Sequence, residues 1–461
     1  MTSRVVVVGA GITGLAAGYE AWRNGYDVTV LESAERAGGK IATEPVGGAP
    51  LPFDVDVAAD GFLARRPEVL QLVQDLGLSD QLVVPRKSRA SLWIDGQLRD
   101  IPAPSVLGVP LDPDSVARSG VVSSRGLAEL RSGLDRPLPP WLGDASVGEV
   151  FRPILGAEVF ERMVDPLLGG INAGNADQLS LEAGAPQLAA AAREGGRLAE
   201  VLRRQVDQAQ ANAGGPVFAG LRGGTGRLVN ALAATLGDRL RLGVAVEALE
   251  RKPNGWEVNT NNGAMLAERV IVTTPASVTS RLVEPFAPVA ASILSDLIYG
   301  DAVLVTFVVP RAMVDHDLDG SGFLVPRHQG LLMTACSWAS SKWEHYDDGV
   351  HAVLRVSAGR TDDARWMELS TEELVAQLTQ ELETTLGLRS QPVVRVTPWR
   401  QSLPQYRPGH LDRCQQIDDE LAEVAPGLAV TGAVMRGLGL PACVGQGRAA
   451  GADASPFTPE T

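Results

Sequence analysis

The 461-residue sequence is short of lysine, cysteine, histidine and aromatic side chains, and each shortage closes a route to function. Only four of its 41 basic residues are lysines (Lys40, Lys87, Lys252 and Lys342), and acids outnumber bases to leave a net charge of −14. Such a balance argues against nonspecific nucleic-acid binding and names no nucleic-acid partner. The three cysteines, Cys336, Cys414 and Cys443, are far apart with no Cys-x-x-Cys pair, which disfavours disulfide reduction and thiolate metal binding. The five histidines (His316, His328, His345, His351 and His410) show no recognised metal-ligand spacing, so no metal site is assigned. No apolar run approaches the roughly 20 residues of a membrane-spanning helix. The first apolar run lacks the basic-then-apolar order of a signal peptide. A cytoplasmic protein is expected, with room for peripheral contact at the inner face of the membrane. Apolar residues make up 45% of the chain, enough for folded cores, and the length points to two or three domains.

What the sequence does have is concentrated at its start. Val5-Val6-Val7-Val8 runs straight into Gly9-Ala10-Gly11-Ile12-Thr13-Gly14. The pattern predicts a buried strand, a tight turn at Gly9, backbone approach to a pyrophosphate at Gly11, and close helix–strand packing at Gly14. A second strand, Val28-Thr29-Val30-Leu31, ends at Glu32, the acid expected to hold a ribose 2′-hydroxyl and to disfavour a 2′-phosphate. Arg36-Ala37-Gly38-Gly39-Lys40 then suits a loop along the dinucleotide, with Arg36 or Lys40 beside phosphate. No second Gly-x-Gly-x-x-Gly follows, which argues for one stably held cofactor.

Further along, 53–57 alternates as a strand, and Pro67 opens a helix that stops at Gly77. Residues 99–140 read as irregular chain with short helices. Residues 145–210 read as helical, with an interruption at 166–171. A boundary is placed at 212–216. A strand at 240–246 precedes a hairpin turn at Pro253-Asn254-Gly255. Strands are expected at 270–274, 300–309 and 351–357, and a helix over 367–386 ends near Gly387. Gly427 to Gly432 forms a short strand and turn. Gly439-Leu440-Pro441-Ala442 starts a helix whose positive end could stabilise charge on a flavin pyrimidine.

Together these segments resemble the oxygen-dependent coproporphyrinogen and protoporphyrinogen oxidases, within the wider monoamine-oxidase-like flavoproteins. The narrower signals are Pro166-Leu167-Leu168-Gly169-Gly170-Ile171-Asn172-Ala173-Gly174, Leu221-Arg222-Gly223-Gly224, Pro398 to Tyr406 with Gly409-His410, and Gly437 to Pro441. The resemblance implies an α/β fold with a Rossmann-like FAD domain assembled from discontinuous segments (1–55, 220–290 and 400–455). It also implies a mixed α/β substrate domain (56–99 and 291–399) and a mainly helical domain (100–219).

The implied reaction is a six-electron oxidation of coproporphyrinogen III by FAD. Molecular oxygen is the acceptor, hydrogen peroxide is released, and the pathway is haem biosynthesis. The flavin carries the redox step, with no side chain assigned as acid or base. Val246 would meet the adenine side. Gly432, Leu440, Pro441 and Ala442 would border the flavin. Arg65 and Arg66 would meet propionates, and Leu167, Leu168 and Ile171 would line an apolar slot. A downstream haem-pathway enzyme is an expected partner, and the oligomeric state is left open.

The chain departs from the family at Ala58-Ala59, where Gly-Pro is frequent, and at Ala433 and Ala442, where Asn and Asp are common. Protoporphyrinogen IX oxidation is the near alternative. Amine oxidation, with Trp399 and Tyr406 in an aromatic cage, is a wider one, and a nonenzymatic FAD-binding partner of the haem pathway is the third.

Overall fold

The computed structural model describes residues 3–212 and 215–453. Ala213 and Gly214, at the centre of the expected boundary, lie outside the described residues. The valine run forms Arg4–Val8, the middle strand of a five-stranded parallel sheet. Its neighbours are Asp27–Leu31 on one side and Arg269–Val272 on the other, with Leu240–Arg241 and Leu428–Val430 at the edges. Val5 to Val7 have no exposed surface, because both faces of this parallel sheet are covered.

A second, seven-stranded sheet runs in the order Val393–Pro404, Tyr299–Pro310, His351–Ala358, Met333–Trp338, Gly322–Leu324, Ala90–Ile94 and Gln97–Asp100. Alternate residues give it two different faces. Val305, Val356, Cys336 and Phe323 pack with Leu374, Leu378 and Leu382 of the helix Thr371–Leu386. That helix opens on a reciprocal cap between Ser370 and Glu373 and ends at Gly387 in the left-handed conformation. The opposite face looks toward the parallel sheet. Residues 92–202 contribute a separate core of short helices, containing Phe151, Phe160 and Leu168.

Several expectations shift for physical reasons. The strand expected over 240–246 is only Leu240–Arg241, because Gly243 (φ +70°) turns the chain into the hairpin Val246–Lys252 and Gly255–Thr260. The strand at 53–57 reduces to Val55–Asp56, paired with Thr43–Glu44 alone. The interruption at 166–171 is instead the helix Asp165–Asn172. It follows one wide turn, Phe160–Val164, in π geometry. A wide turn just before Pro166 accommodates its ring and missing amide hydrogen without breaking the helix. The outer strand of the seven-stranded sheet continues to Pro404, beyond the position 399 where the substrate segment was expected to end.

The two sheets are joined by the loop after Val55. Asp56 is 1% exposed, and its carboxylate accepts hydrogen bonds from Thr43, from the amide and hydroxyl of Thr225, and from the Tyr346 hydroxyl at 2.7 Å. Four residues on, Asp60 pairs with Lys342 (3.1 Å) and Arg355 (2.8 Å), and Arg355 is only 5% exposed. These two cations hold the Asp60 carboxyl well below the usual carboxylate range against the opposing cost of burial. Removing one member of such a group strands buried charge, so Asp60→Ala is expected to cost about 3–5 kcal/mol in urea unfolding. A loss under about 1 kcal/mol, the range of exposed pairs, would show that the joint is not the anchor described.

Candidate functional site

A cleft of about 570 Å³ opens at the carboxyl ends of the parallel strands, where nucleotides bind in sheets of this kind. Gly9 sits at φ +96°, and its turn is braced by the Thr273 hydroxyl, which donates to the carbonyls of Val8 and Gly9 at 3.0 Å. A Cβ on Gly14 would lie 1.9 Å from the Gly9 carbonyl oxygen, so helix and turn meet backbone to backbone. A Cβ on Gly11 would meet nothing within 4 Å. It would stand in the open cleft, where a ligand's backbone-facing phosphate belongs. The helix Ile12–Arg23 begins at Gly11 with no side-chain cap, leaving its first amides directed at the cleft.

Glu32 lines the same cleft. Its carboxylate accepts from the amides of Ala10 (2.8 Å) and Ala34 (2.9 Å), which fix it at the strand end with lone pairs to spare for a ribose hydroxyl. The two basic candidates separate. Arg36 donates to the carbonyls of Ala37 and Gly39 and braces its own loop outside the cleft lining. Lys40 lines the cleft beside Gly38 and Gly39, makes no hydrogen bond or ion pair among the described residues, and has its pKa pushed down by desolvation. Lys40 and Arg281 are the lining cations available to a ligand.

Val246 lines the far end with Val244 and Ala245. At the other end stand Ala433, Val434, Leu438, Leu440 and Cys443. Gly432 (φ +100°) packs against Thr13 rather than lining the cleft. Pro441 and Ala442 are likewise outside the lining set. The helix Leu440–Ala452 has no side-chain cap. Pro441 has no amide hydrogen and the Cys443 amide is taken by the Gly439 carbonyl, so the free donors at this terminus are Leu440 and Ala442.

Sequence reasoning missed Thr274, Pro275, Val278, Arg281, Tyr299 and 402–404, all in the lining. Thr273 to Pro275 directly follow a strand assigned to the cofactor domain and were within reach of the pattern. Tyr299 and Leu403 carry no local signal. They arrive because two strands of the other sheet end there in register, Gly300 opposite Leu403.

Those same strands lead to a second feature. Leu324 pairs with Ala335, Ala335 with Ser357, Ser357 with Leu304, and Leu304 with Thr397. All five are half-buried, while their neighbours Phe323, Cys336, Val356 and Val305 are buried on the opposite face. The row crosses five strands, about 19 Å at the usual strand spacing. One end is met by the helix Asp165–Asn172, where a Cβ on Gly170 would touch Leu324 at 3.8 Å.

On that helix the three apolar candidates diverge. Leu167 is half-buried and Ile171 is 57% exposed, one turn apart on one face. Leu168 is 1% exposed and belongs to the helical core, so the structure does not bring it to a slot. Both Arg65 and Arg66 are exposed, just before the helix Pro67–Asp75. Arg66 is paired with Glu68 at 2.6 Å, whereas Arg65 has no partner among the described residues.

The aromatic residues of the 398–410 motif are occupied. Trp399 donates its indole N–H to the Val57 carbonyl at 2.9 Å. Tyr406 is 2% exposed, donates to Ala433 O at 2.6 Å, accepts from the Gly437 amide, and stacks on His410 with ring centroids 4.0 Å apart. His410 Nε2 lies 2.6 Å from the Met435 carbonyl. This assembly positions the 433–440 segment along the cleft; it is not an aromatic cage.

Full-length relatives share this organisation. The family described as flavin containing amine oxidoreductase matches residues 12–454. A coproporphyrinogen III oxidase of Mycobacterium tuberculosis (strain ATCC 25618 / H37Rv) is 34% identical over 95% of this chain and 94% of its own. One from Bacillus subtilis (strain 168) is 30% identical over 98% and 97%. A crystal structure from Exiguobacterium sp. 255-15 superposes with a TM-score of 0.86 at 31% identity, covering 97% of this chain and 98% of that one.

Two outcomes follow from the geometry. Gly11→Val should fold with the stability of the apoprotein yet lose bound flavin, whereas Gly14→Ala should disturb the turn itself; absorbance and thermal unfolding separate the two. Burial holds the His410 pKa at about 4, while the unfolded ring titrates near 6.5. Protons therefore favour the unfolded chain between these values, and stability should fall by roughly 3 kcal/mol as pH drops through that window. His410→Phe, which keeps the stack but leaves Met435 O with only the weak Cys414 thiol donor at 3.2 Å, should be less stable at pH 7 and flatter toward pH 4 in urea titrations.

Proposed function

This chain belongs to the flavin containing amine oxidoreductase family, and within it we propose an oxygen-dependent oxidase that converts coproporphyrinogen III to coproporphyrin III. The observation that carries the reading is the five-strand row from Leu324 to Thr397, a broad, mostly apolar wall on a sheet two of whose strands reach the cleft at Tyr299 and Leu403. A flat macrocycle needs such a wall, and the relatives that match along nearly the whole chain include coproporphyrinogen III oxidases, beside a structure described as a putative protoporphyrinogen oxidase.

The glycine turn, the free amides of the first helix, Lys40 and Glu32 suit the diphosphate and ribose of FAD. When bound, FAD supplies the two-electron acceptor, which oxygen restores with release of hydrogen peroxide. Three rounds remove six electrons and six hydrogens from one porphyrinogen, consuming three oxygen molecules and giving three of peroxide. The chain itself binds and orients. Leu167 and Ile171 close the slot against the row, and the Leu440 and Ala442 amides present positive potential to the pyrimidine edge as it gains electrons. Arg65 offers a propionate its unpaired guanidinium, while Arg66 must first release Glu68.

Amine oxidation would need Trp399 and Tyr406 facing substrate, and both are committed to backbone carbonyls. The deciding experiment mixes the flavin-loaded protein anaerobically with coproporphyrinogen III or protoporphyrinogen IX and follows flavin bleaching. Faster bleaching by coproporphyrinogen III is expected; the reverse order would reassign the substrate, and no bleaching by either would remove the oxidase reading. Ala335→Phe, filling the row between Leu324 and Ser357, should slow bleaching by about tenfold or more with flavin content unchanged. Arg65→Ala should raise KM more than Arg66→Ala does.

A further inference from the structure

Next to the Leu324–Ala335 end of the row lies a polar cavity of about 420 Å³, separate from the flavin cleft. Three arginines line it, and two are neutralised. Arg327 pairs with Asp165 at 2.7 Å and with Asp362, and Arg365 holds Asp363 through two nitrogens. Arg360 is different. It is 6% exposed, and among the described residues its only side-chain hydrogen bond runs to the Val325 carbonyl at 2.8 Å and no carboxylate lies within ion-pair range. Its Nε is buried without a partner among them. Burial and the neighbouring Arg327 charge push against protonation of this guanidinium, and the more distant charges of Asp165, Asp362 and Asp363 only partly offset them. A buried guanidinium with spare donors is costly unless something meets it.

The surroundings connect this place to the slot. Thr334 lines the cavity, and its hydroxyl lies 2.9 Å from that of Ser357, a member of the row. The Thr361 amide, next to Arg360, donates to the carbonyl of Ala173 at the end of the helix that carries Leu167 and Ile171. Arg327 also donates to Gly174 there.

We propose that this cavity is an oxyanion site in which Arg360 receives a carboxylate or phosphate group, either from a small free anion or from a propionate of a tetrapyrrole in the slot. Lining carboxylates other than Glu368 are already paired, so Arg360 is the group that selects for negative charge. Occupancy would brace the 360–363 loop against the end of the helix. Only the tetrapyrrole source rests on the function proposed above.

The test uses the flavin-loaded protein. Thermal unfolding is compared in inorganic phosphate and in chloride at equal ionic strength, and coproporphyrin III binding is measured by fluorescence. A saturable rise in midpoint with phosphate, absent in Arg360→Met, establishes the site with a free anion. Coproporphyrin III binding about tenfold weaker in Arg360→Met, together with competition by phosphate, establishes it with a propionate. If the wild-type protein shows no saturable phosphate effect and no competition, the proposal falls. It also falls if both responses survive in Arg360→Met. Arg360→Lys, which keeps the charge but not the fork of donors, serves if the methionine variant does not fold, and should retain a weakened response. The phosphate arm needs no porphyrin, so loss of the oxidase reading would leave it standing.

Discussion

The placement of everything around the cleft depends on two buried carboxylates, Asp56 and Asp60. Asp56 ties Thr43 and Thr225, from the glycine-rich side, to Tyr346 of the other sheet's connections. Asp60 then collects Lys342 and Arg355. One short loop thereby ties the segments around Thr43 and Thr225 to the seven-stranded sheet at Arg355. Burial pushes the Asp56 pKa up, and its hydrogen bonds push it back. Asp60 has its cations and stays ionised. Without this joint, the row from Leu324 to Thr397 would have no fixed distance from Tyr299 and Leu403 at the cleft.

What was legible in the sequence was local. Val5 to Gly14 and the spacing to Glu32 carry their own physics, because a β-branched run and a turn that only glycine tolerates restrict the backbone strongly. The hairpin at Asn254-Gly255, the helix stop at Gly387 and the helix start at Gly439 to Ala442 are of the same kind. The resemblance supplied the rest of the outline. Leu168 was misjudged because 166–171 was read as a break, and only its helical spacing sets Leu168 apart from the face that Leu167 and Ile171 share. The 166–171 segment looked like a break because proline is read as one, and nothing local announces a π turn upstream. The row across five strands was invisible for a different reason. Its members lie between residues 304 and 397 and become neighbours only through strand register, which no window along the chain contains.

The polar residues show a related division of labour. Arg36, Arg66, Trp399 and Tyr406 all stand in motifs that invite a ligand-binding role. Three of them spend their donors on backbone carbonyls, and Arg66 spends its donors on Glu68. Lys40, Arg65 and Arg360 are the ones left with capacity. Motif membership located the neighbourhood, and hydrogen-bond accounting decided which side chains remain free to meet something else.

The contact between the first and last helices has a consequence for how the protein is made. A Cβ on Gly447 would lie 2.2 Å from the carbonyl oxygen of Thr13, and one on Gly451 would lie 2.3 Å from that of Ala17. The helix Leu440–Ala452 therefore lies directly on the backbone of the fingerprint helix. During synthesis the nucleotide turn leaves the ribosome long before the helix that covers it. A ribosome stalled short of residue 440 would thus hold a protein with its most recognisable motif complete and its cleft still open on one side.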